Sequence, residues 1–256
     1  VINPDVGDLR LSGEKCREPV FNLPALWVAK ELRDEAGIRG LTVVDCGTVI
    51  TTHLTELVKD NIADLLSYAE VQKLLSDVHR DTEKLVADIV PSRLSVSGIQ
   101  RILQNLLSEG ISIRDLPTIL EGIAEAAPLT GNLTQITEHV RSRLARQISA
   151  AHARDGIIPI LTLSARWDQE FAENIVGEGD DRQLAMAPSS LQGFIANVRE
   201  SYDRLAGEGE IPCILTNPAI RPFVRSIIER VRPATTVLSQ NEIHPRARIR
   251  ALGTIG

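Results

Sequence analysis

Side chains capable of catalysis are scattered along this sequence and form no catalytic motif. Thr51, Thr52 and His53 are the nearest approach to a nucleophile beside a base, but neighbouring residues of a helix point in different directions and do not pair easily. The sequence has five histidines, none spaced as a pair of zinc ligands. Glycine-rich phosphate loops and the serine- and zinc-hydrolase motifs are also missing from it. We therefore predict that the protein is not an enzyme and has no catalytic residue, cofactor or metal site.

A short acidic segment is a further candidate for ligand chemistry. Glu178, Asp180 and Asp181 lie within the run GEGDDRQ at 177–183 and supply carboxylate oxygens of the kind that calcium prefers. A calcium loop needs oxygen ligands at regular alternate positions and a closing glutamate, and this run lacks both. We predict that it is a solvated loop.

A different kind of site is indicated near the start of the chain, where apolar residues flank a carboxylate. The residues concerned are Glu18, Phe21, Val44, Val49 and Thr52. If the predicted strands at 21–28 and 41–45 pair, these side chains converge on a shallow apolar depression with an acidic rim. Such a depression is typical of a surface that receives a hydrophobic side chain of a protein partner. Ordinary core packing is the commoner explanation of such residues, and the residue types alone leave both readings open.

The composition is that of an ordinary globular protein with an aliphatic core. Hydrophobic residues make up 43% of the chain and charged residues 24%, whereas aromatic residues contribute 3%. The net charge is −6 and no block of Lys or Arg occurs, which argues against nucleic acid as a partner. The three cysteines are far apart, as expected for a protein of a reducing compartment.

The sequence contains no candidate for a membrane-spanning helix, because no apolar run approaches the roughly 20 residues that such a helix needs. The chain begins at Val1, and its single methionine is Met186. We therefore expect it to be a fragment of a longer protein, in which a membrane part can lie elsewhere.

Strand and helix periodicities predict three domains. Residues 1–66 start with a lead-in loop over 1–17 and continue with short strands and helices, which predicts a small α+β domain. Residues 67–155 show helical periodicity throughout and predict an all-helical domain. Residues 156–256 predict an α/β domain with a mixed sheet. Its predicted strands lie at 157–164, 214–216, 235–243 and 247–255. The predicted fold class is therefore α/β mixed, with several subdomains.

Two short amphipathic helices over 95–128 are the clearest predicted elements. Gly110 follows the last apolar position of the first helix and predicts a left-handed helix end. Ser112 and Asp115 are spaced as a capping box and predict the start of the second helix.

A longer helix is predicted over 132–154. Asn132 and Gln135 have the spacing of a cap at its start. Its four arginines are interpreted as a solvated basic face. They are Arg141, Arg143, Arg146 and Arg154.

Segments distributed along nearly the whole chain resemble those of one protein family. They are EPVFNLPALWV at 18–28, TVVD at 42–45, VITTHL at 49–54, QNLL at 104–107, IRDL at 113–116, PCILTNPAIRPFVRSIIER at 212–230 and VLSQNEI at 237–243. In this order and spacing they resemble the FlhA family, the large export-gate subunits of flagellar and virulence type III secretion systems. The chain is similar to about the C-terminal two-thirds of the family's cytoplasmic region.

This resemblance implies a non-enzymatic docking platform of the flagellar type III export gate. The family's cytoplasmic part binds export chaperones with their substrates and other export-apparatus proteins. It also assembles as a nine-membered ring below the membrane. The implied location is the cytoplasmic face of the bacterial inner membrane, this fragment being the soluble part without the transmembrane part.

The resemblance also assigns roles to the residues of the predicted depression. The family's chaperone-binding dimple matches Glu18, Phe21 and Thr52, and Val44 and Val49 fall on the aligned apolar wall. The sequence departs from the family pattern at two positions: position 18 carries Glu in place of Asp, and position 22 carries Asn in place of Gly.

Two other functions stay open at this point. One is the equivalent export-gate platform of a virulence secretion system. The other is a small-molecule enzyme that uses the C-terminal α/β domain and binds its ligand at the carboxyl ends of the strands.

Overall fold

The computed structural model describes residue 2 and residues 11–20, 22–177 and 179–256. The chain forms two compact units, Val1–Leu65 and Leu66–Gly256. The three-domain division with boundaries at 66/67 and 155/156 stays a prediction from the sequence.

The first unit combines a two-stranded sheet with helices. Strands β1 (Glu14–Arg17) and β2 (Pro24–Trp27) pair antiparallel. A 3-10 turn over Lys30–Leu32 leads into the next helix. The helices are α1 (Arg33–Ile38), α2 (Cys46–Asp60) and α3 (Ile62–Leu65).

The predicted pairing of a strand at 21–28 with a strand at 41–45 is wrong. The partner of β2 is β1, which lies in the segment predicted to be a lead-in loop. Residues 41–45 contribute an isolated bridge instead, in which the N–H of Ile2 donates to the carbonyl of Thr42 at 2.8 Å and the reverse bond measures 3.1 Å. The strand β1 escaped prediction because its four residues, EKCR, carry little apolar alternation.

The second unit is built on a four-stranded sheet in the order β7-β6-β3-β8. Its strands are β3 (Ile157–Leu163), β6 (Cys213–Thr216), β7 (Val237–Ser239) and β8 (Arg248–Ile255). A separate antiparallel pair consists of β4 (Ile175–Val176) and β5 (Gln183–Leu184).

The predicted α/β fold class is confirmed, but the four-stranded sheet is parallel at every pairing and not mixed. The strand predicted at 247–255 was expected to close a mixed sheet. Instead, β8 lies at the opposite edge of the sheet beside β3, so that it runs parallel to its neighbour.

Helices cover both faces of this sheet. The helices of the second unit are α4 (Tyr68–Ser76), α5 (Arg80–Ile89), α6 (Val96–Ser108), α7 (Leu116–Ala126), α8 (Leu133–Arg143), α9 (Ala145–His152), α10 (Ala165–Glu173), α11 (Pro188–Ala206) and α12 (Arg221–Val231). Ile158 and Ile160 of β3 belong to the core formed with the helices up to α9. Leu161 and Leu163 belong to the core formed with α10, α11 and α12. Side chains of one strand thus alternate between two apolar layers.

The predicted helix end at Gly110 is confirmed. Gly110 has φ 72°, and the N–H of Ile111 donates to the carbonyl of Leu106 at 2.9 Å. This is the 6→1 hydrogen bond of a Schellman motif, and buried Ile111 supplies the apolar contact that accompanies the motif. The start of α7 differs from the prediction, because Asp115 and not Ser112 accepts the capping bond from the N–H of Thr118.

The helix predicted over 132–154 is divided into α8 and α9. Asn132 caps α8 as predicted, accepting from the N–H of Gln135 at 3.0 Å. The break lies at Leu144, whose N–H is shared between the carbonyls of Val140 and Arg141 at 3.1 Å each. Such a shared bond tightens the last helical turn.

The predicted solvated basic face is wrong for Arg141, whose side chain is 1% exposed. Arg141 belongs to a buried ion cluster of three arginines and three glutamates. These residues are Glu109, Glu138, Arg141, Arg221, Arg225 and Glu242. The helical period places Arg141 on one face of the helix. Only its partners, Glu109 at the end of α6 and Glu242 in the turn after β7, reveal that this face is interior.

Arg221 lies at the centre of the ion cluster. Its guanidinium donates to both carboxylate oxygens of Glu138, from Nε at 2.6 Å and from Nη2 at 2.5 Å. Its Nη1 and Nη2 also donate to Glu109 at 2.7 and 3.0 Å. Arg141 donates from Nη2 to Glu242 at 2.5 Å. The cluster thereby joins α6 and α8 to α12 and the segment after β7 through charge-assisted bonds.

Electrostatics within the ion cluster oppose desolvation. Burial alone would raise the pKa of Glu109, but the charges of Arg221, Arg141 and Arg225 hold it below its ordinary value. For Glu138, burial prevails and raises the pKa despite the bonds from Arg221. Desolvation disfavours the charged form of Arg221, but Glu109 and Glu138 raise its pKa, so the guanidinium stays charged.

Within residues 2, 11–20, 22–177 and 179–256, no helix combines the length and the apolar character needed to span a membrane.

Candidate partner-binding site

Glu18 organises the turn between β1 and β2. Its N–H donates to the carbonyl of Leu23 at 2.9 Å, and its own carbonyl accepts from the N–H of Asn22 at 3.0 Å. Its carboxylate accepts from the N–H of Val20 at 2.9 Å. Glu18 is buried, so the carboxylate predicted to form a rim also closes the turn that carries it.

Asn22 holds the left-handed conformation in this turn. Its φ is 55°, and its carbonyl accepts from Nη1 of Arg17 at 2.8 Å. Asparagine is among the few non-glycine residues that adopt this conformation readily. The replacement of the family's glycine by Asn22 is therefore compatible with the same turn.

The start of α2 positions the opposite wall. Asp45 is its N-cap, with Oδ1 accepting from the N–H of Thr48 at 2.8 Å and Oδ2 accepting from its hydroxyl at 3.0 Å. These bonds lower the pKa of Asp45. The cap holds Val44 before the helix and Val49 in its first turns.

Glu18, Val44 and Val49 line one depression, although not through the predicted strand pairing. The lining also includes Ile2, Cys16, Arg17, Pro19, Ala25, Leu26 and Trp27. The cavity volume in this depression is about 30 Å³, close to the share of one molecule in liquid water. In this conformation the depression is therefore too small to enclose a large apolar side chain.

The other two predicted residues are placed differently. Thr52 is exposed on α2 and is not part of the lining. It follows Val49 by three residues, which puts the two side chains on neighbouring positions of one helix face. Phe21 lies outside the described residues.

Sequence reasoning missed the contribution of Cys16 and Trp27 to this depression. Cys16 is opposite Ala25 in the sheet, and Glu14 is opposite Trp27. Recognising β1 as a strand would have placed Cys16 next to the predicted residues. The sequence shows that β2 is apolar. It does not show which face of the sheet each of its residues lies on, because that depends on the pairing with β1.

The apolar residues of α2 form a second exposed feature of this unit. None of the residues of α2 is buried. Ile50, Leu54, Leu57 and Val58 are 67, 59, 46 and 43% exposed. Their spacing makes a continuous stripe of the kind that amphipathic helices bury against another surface.

The residues that the sequence offers for metal binding or nucleophilic catalysis are not grouped into a site in the described part of the chain. Among the described residues, no group of three or more His, Cys, Asp or Glu is arranged to hold a metal ion. Thr51 and Thr52 are exposed on α2, where the hydroxyl of Thr55 donates to the carbonyl of Thr51. Burial raises the pKa of Cys213 to about 11, which keeps it a thiol at neutral pH. Of the acidic run at 177–183, Glu178 lies outside the described residues.

Comparison with known proteins gives consistent matches over the chain. The model of the FHIPEP family matches residues 1–248. Flagellar biosynthesis protein FlhA of Caulobacter vibrioides is 57% identical over 255 residues, which cover 99% of this chain and 36% of that protein. The structure of the Chlamydia pneumoniae CdsV protein matches with a TM-score of 0.82 at 26% identity, covering 96% of this chain and 72% of that one.

A third match is the cryo-EM structure of the nonameric EscV cytosolic domain from the type III secretion system. Its TM-score is 0.75 at 25% identity, and it covers 100% of this chain and 76% of that one. The chain thus spans about a third of the length of the FlhA protein that it matches, 36%. The family match over nearly its whole length shows that the chain belongs to the FHIPEP family.

Proposed function

We propose that this chain is the cytosolic docking platform of a flagellar type III export gate, and that chaperone–substrate complexes dock at the depression lined by Glu18, Val44 and Val49. The observation that carries the proposal is the convergence of these residues. They come from the β1–β2 turn and from the start of α2, and they meet at one apolar depression with a carboxylate. These are three of the five residues that the resemblance to the family's chaperone-binding dimple leads us to expect together.

The depression suits an apolar anchor that enters by local rearrangement. Val44 and Val49 are half-buried, so that they already form an apolar surface and can still move. The carboxylate of Glu18, which accepts from the N–H of Val20, adds a hydrogen-bond acceptor to a mostly apolar wall that also includes Arg17. A partner with a donor group beside its apolar anchor is favoured at such a site.

The flagellar system is supported by the 57% identity to the Caulobacter FlhA protein. The nonameric state of the similar EscV domain supports a ring below the inner membrane. The structure of the Chlamydia pneumoniae CdsV and CdsO protein complex supports contact with a further protein of the export apparatus. The same similarity favours a second candidate, an export gate of a type III secretion system outside the flagellum. Binding of chaperones from such a system, in place of flagellar ones, would select the second candidate.

Titration of the chain with purified flagellar chaperone–substrate complexes tests the docking site. We expect Val49→Ala and Phe21→Ala each to weaken binding by about 1–3 kcal/mol, the usual scale for an interface anchor. Val58→Ala is the matched control, because Val58 lies on the same helix, is 43% exposed and does not line the depression.

Circular dichroism checks that each variant is folded. Unchanged affinity in folded Val49→Ala and Phe21→Ala, or an equal loss in Val58→Ala, would contradict the proposed site.

A further inference from the structure

The structure assigns a binding site for a compact oxyanion to a pocket at that edge of the parallel sheet where its strands begin. We call it the edge pocket. Its volume is about 210 Å³. Cys213 begins β6, and Thr235 and Thr236 directly precede β7. The polar residues of its lining are His152, Arg154, Tyr202, Cys213, Arg232, Thr235 and Thr236.

Two arginines of the edge pocket lack an acidic partner. Within the described residues, neither Arg154 nor Arg232 forms an ion pair with a carboxylate. Arg141 and Arg221 of the same unit each bind two or more glutamates. Arg154 is exposed and Arg232 is half-buried, so both guanidinium groups bring a positive charge to this pocket that no carboxylate of the described residues neutralises.

Arg232 is held in place with an unused donor. Its guanidinium lies over the ring of Tyr202, 4.6 Å from the centroid, and the Tyr202 hydroxyl donates to the carbonyl of Pro212 at 2.8 Å. The Nε of Arg232 is buried and has no hydrogen-bond acceptor in the described part of the chain. This nitrogen is enclosed by the protein, so a ligand in the edge pocket contacts the terminal nitrogens of the guanidinium, which its position over Tyr202 holds in place.

The remaining lining groups favour an anion over other ligands. No carboxylate is among the lining residues. Glu210 lies close by in the sequence, but it is paired with Arg250 at 2.5 Å. The Cys213 thiol stays protonated, as its raised pKa shows, so it adds no negative charge that would compete with a bound anion.

The size of the edge pocket limits the ligand to a small group. A volume of about 210 Å³ is below the roughly 300–1,000 Å³ of pockets that hold drug-sized molecules. Two guanidinium groups bind planar or tetrahedral oxyanions through several charge-assisted bonds. The ligand is therefore a carboxylate or phosphate group, which can come from inorganic phosphate or from an acidic side chain of a protein partner.

Titration with two probes, followed by NMR, tests the edge pocket and separates these sources. The probes are inorganic phosphate and a short glutamate-containing peptide, the latter compared with its glutamine counterpart. We expect saturable shifts of amides around Cys213 and Thr235 with at least one probe. Phosphate binding alone identifies a free anion, and binding of the Glu but not the Gln peptide identifies a protein carboxylate.

Matched variants connect the binding to the two arginines. We expect Arg232→Gln and Arg154→Gln each to weaken binding of the active probe at least tenfold. Arg230→Gln removes the same charge from the exposed surface of the last turn of α12 and should change affinity less than threefold. Arg232→Gln also removes the contact with Tyr202 and can unfold the chain for that reason. In that case, Arg154→Gln alone tests the site.

No saturable shift with either probe, or an equal loss of affinity in Arg230→Gln, would overturn the assignment. Docking of chaperone–substrate complexes at the first unit is measured separately. Failure of one proposal therefore leaves the other intact.

Discussion

The helices α2 and α6 carry similar apolar patterns but have opposite environments. In α6, Ile99, Ile102, Leu103 and Leu106 are all 0% exposed. In α2, no residue is buried, and Ile50 is 67% exposed. An amphipathic period specifies which residues share a face, whereas burial depends on whether other elements of the chain pack against that face. The comparison shows that equal sequence signals can mark a core in one unit and an exposed surface in the other.

The placement of charge differs in the same way. The second unit buries three arginines with three glutamates in its interior. The first unit keeps pairs such as Glu56–Lys59 at the surface, where ion pairs contribute little to stability. Removing one member of a buried pair leaves an uncompensated charge. The second unit therefore contains a buried ionic network, whereas the described ion pairs of the first unit lie at its surface.

The largest effect is expected from a change in the buried ion cluster. Arg221→Met removes the partner of Glu109 and Glu138 and should lower the free energy of unfolding by about 3–5 kcal/mol. Arg143→Met is the control, because Arg143 is 43% exposed and pairs only at the surface, and it should cost less than about 1 kcal/mol. Urea denaturation measures both. Similar losses in the two variants would show that the ion cluster has no special role.

The pH dependence of stability distinguishes the glutamates within the ion cluster. The pKa of Glu109 is held below the ordinary value of 4.5. Its stabilising contribution is therefore present above that value and is lost as the pH falls through the folded-state pKa. Glu109→Gln should flatten the loss of stability on acidification, measured by urea denaturation from neutral pH down to about 3.5.

Glu138 should act in the opposite direction, because burial raises its pKa. Protonated Glu138 favours the folded state. Its contribution to the free energy of unfolding is therefore lost as the pH rises from the unfolded-state pKa through the raised folded-state pKa. Glu138→Gln should therefore leave the acid limb as steep as in the original chain, or steeper. A flattened limb in Glu138→Gln, with no change in Glu109→Gln, would reverse the assignment.

A smaller effect is expected from the β1–β2 turn. Asn22→Ala forces alanine into a left-handed conformation at about 1–2 kcal/mol, whereas Asn22→Gly removes that restriction. Hydrogen exchange of the β1 and β2 amides should become roughly 5–30-fold faster in Asn22→Ala, the factor that such energies imply. Equal exchange rates in the two variants would mean that the turn does not limit local opening.

The smallest effect on stability is expected at Thr52. Thr52→Met adds a longer side chain at an exposed position of α2, and no closed core resists it. The melting temperature should change by less than about 2 °C, under 1 kcal/mol at this size, while docking of chaperone–substrate complexes weakens. A large drop in melting temperature with unchanged docking would place Thr52 in the core.

Local signals in the sequence predict much of the second unit. Gly110 ends α6 and Asn132 begins α8 as expected, because caps depend on residues only a few positions apart. The burial of Arg141 was not predictable in this way, since its partner Glu242 is 101 positions away in the sequence. The parallel direction of β8 depends in the same way on its distant neighbour β3.

The candidate site shows the same division. The sequence indicates that Glu18, Val44 and Val49 converge, and they line one depression. The strand pairing predicted to bring them together was wrong, because β2 pairs with β1 and not with residues 41–45. Cys16 was missed with its strand, since four residues of mixed polarity give no clear period of two.

Methyl NMR of the chain during titration with a flagellar chaperone–substrate complex tests whether such complexes dock at the depression. We expect shifts or broadening of the methyl signals of Val44 and Val49, the two valines that line the depression. The signals of Val58 on the same helix and of buried Val224 in the second unit should stay unchanged. Binding that leaves Val44 and Val49 unperturbed, while it shifts other methyl groups, would contradict the docking site.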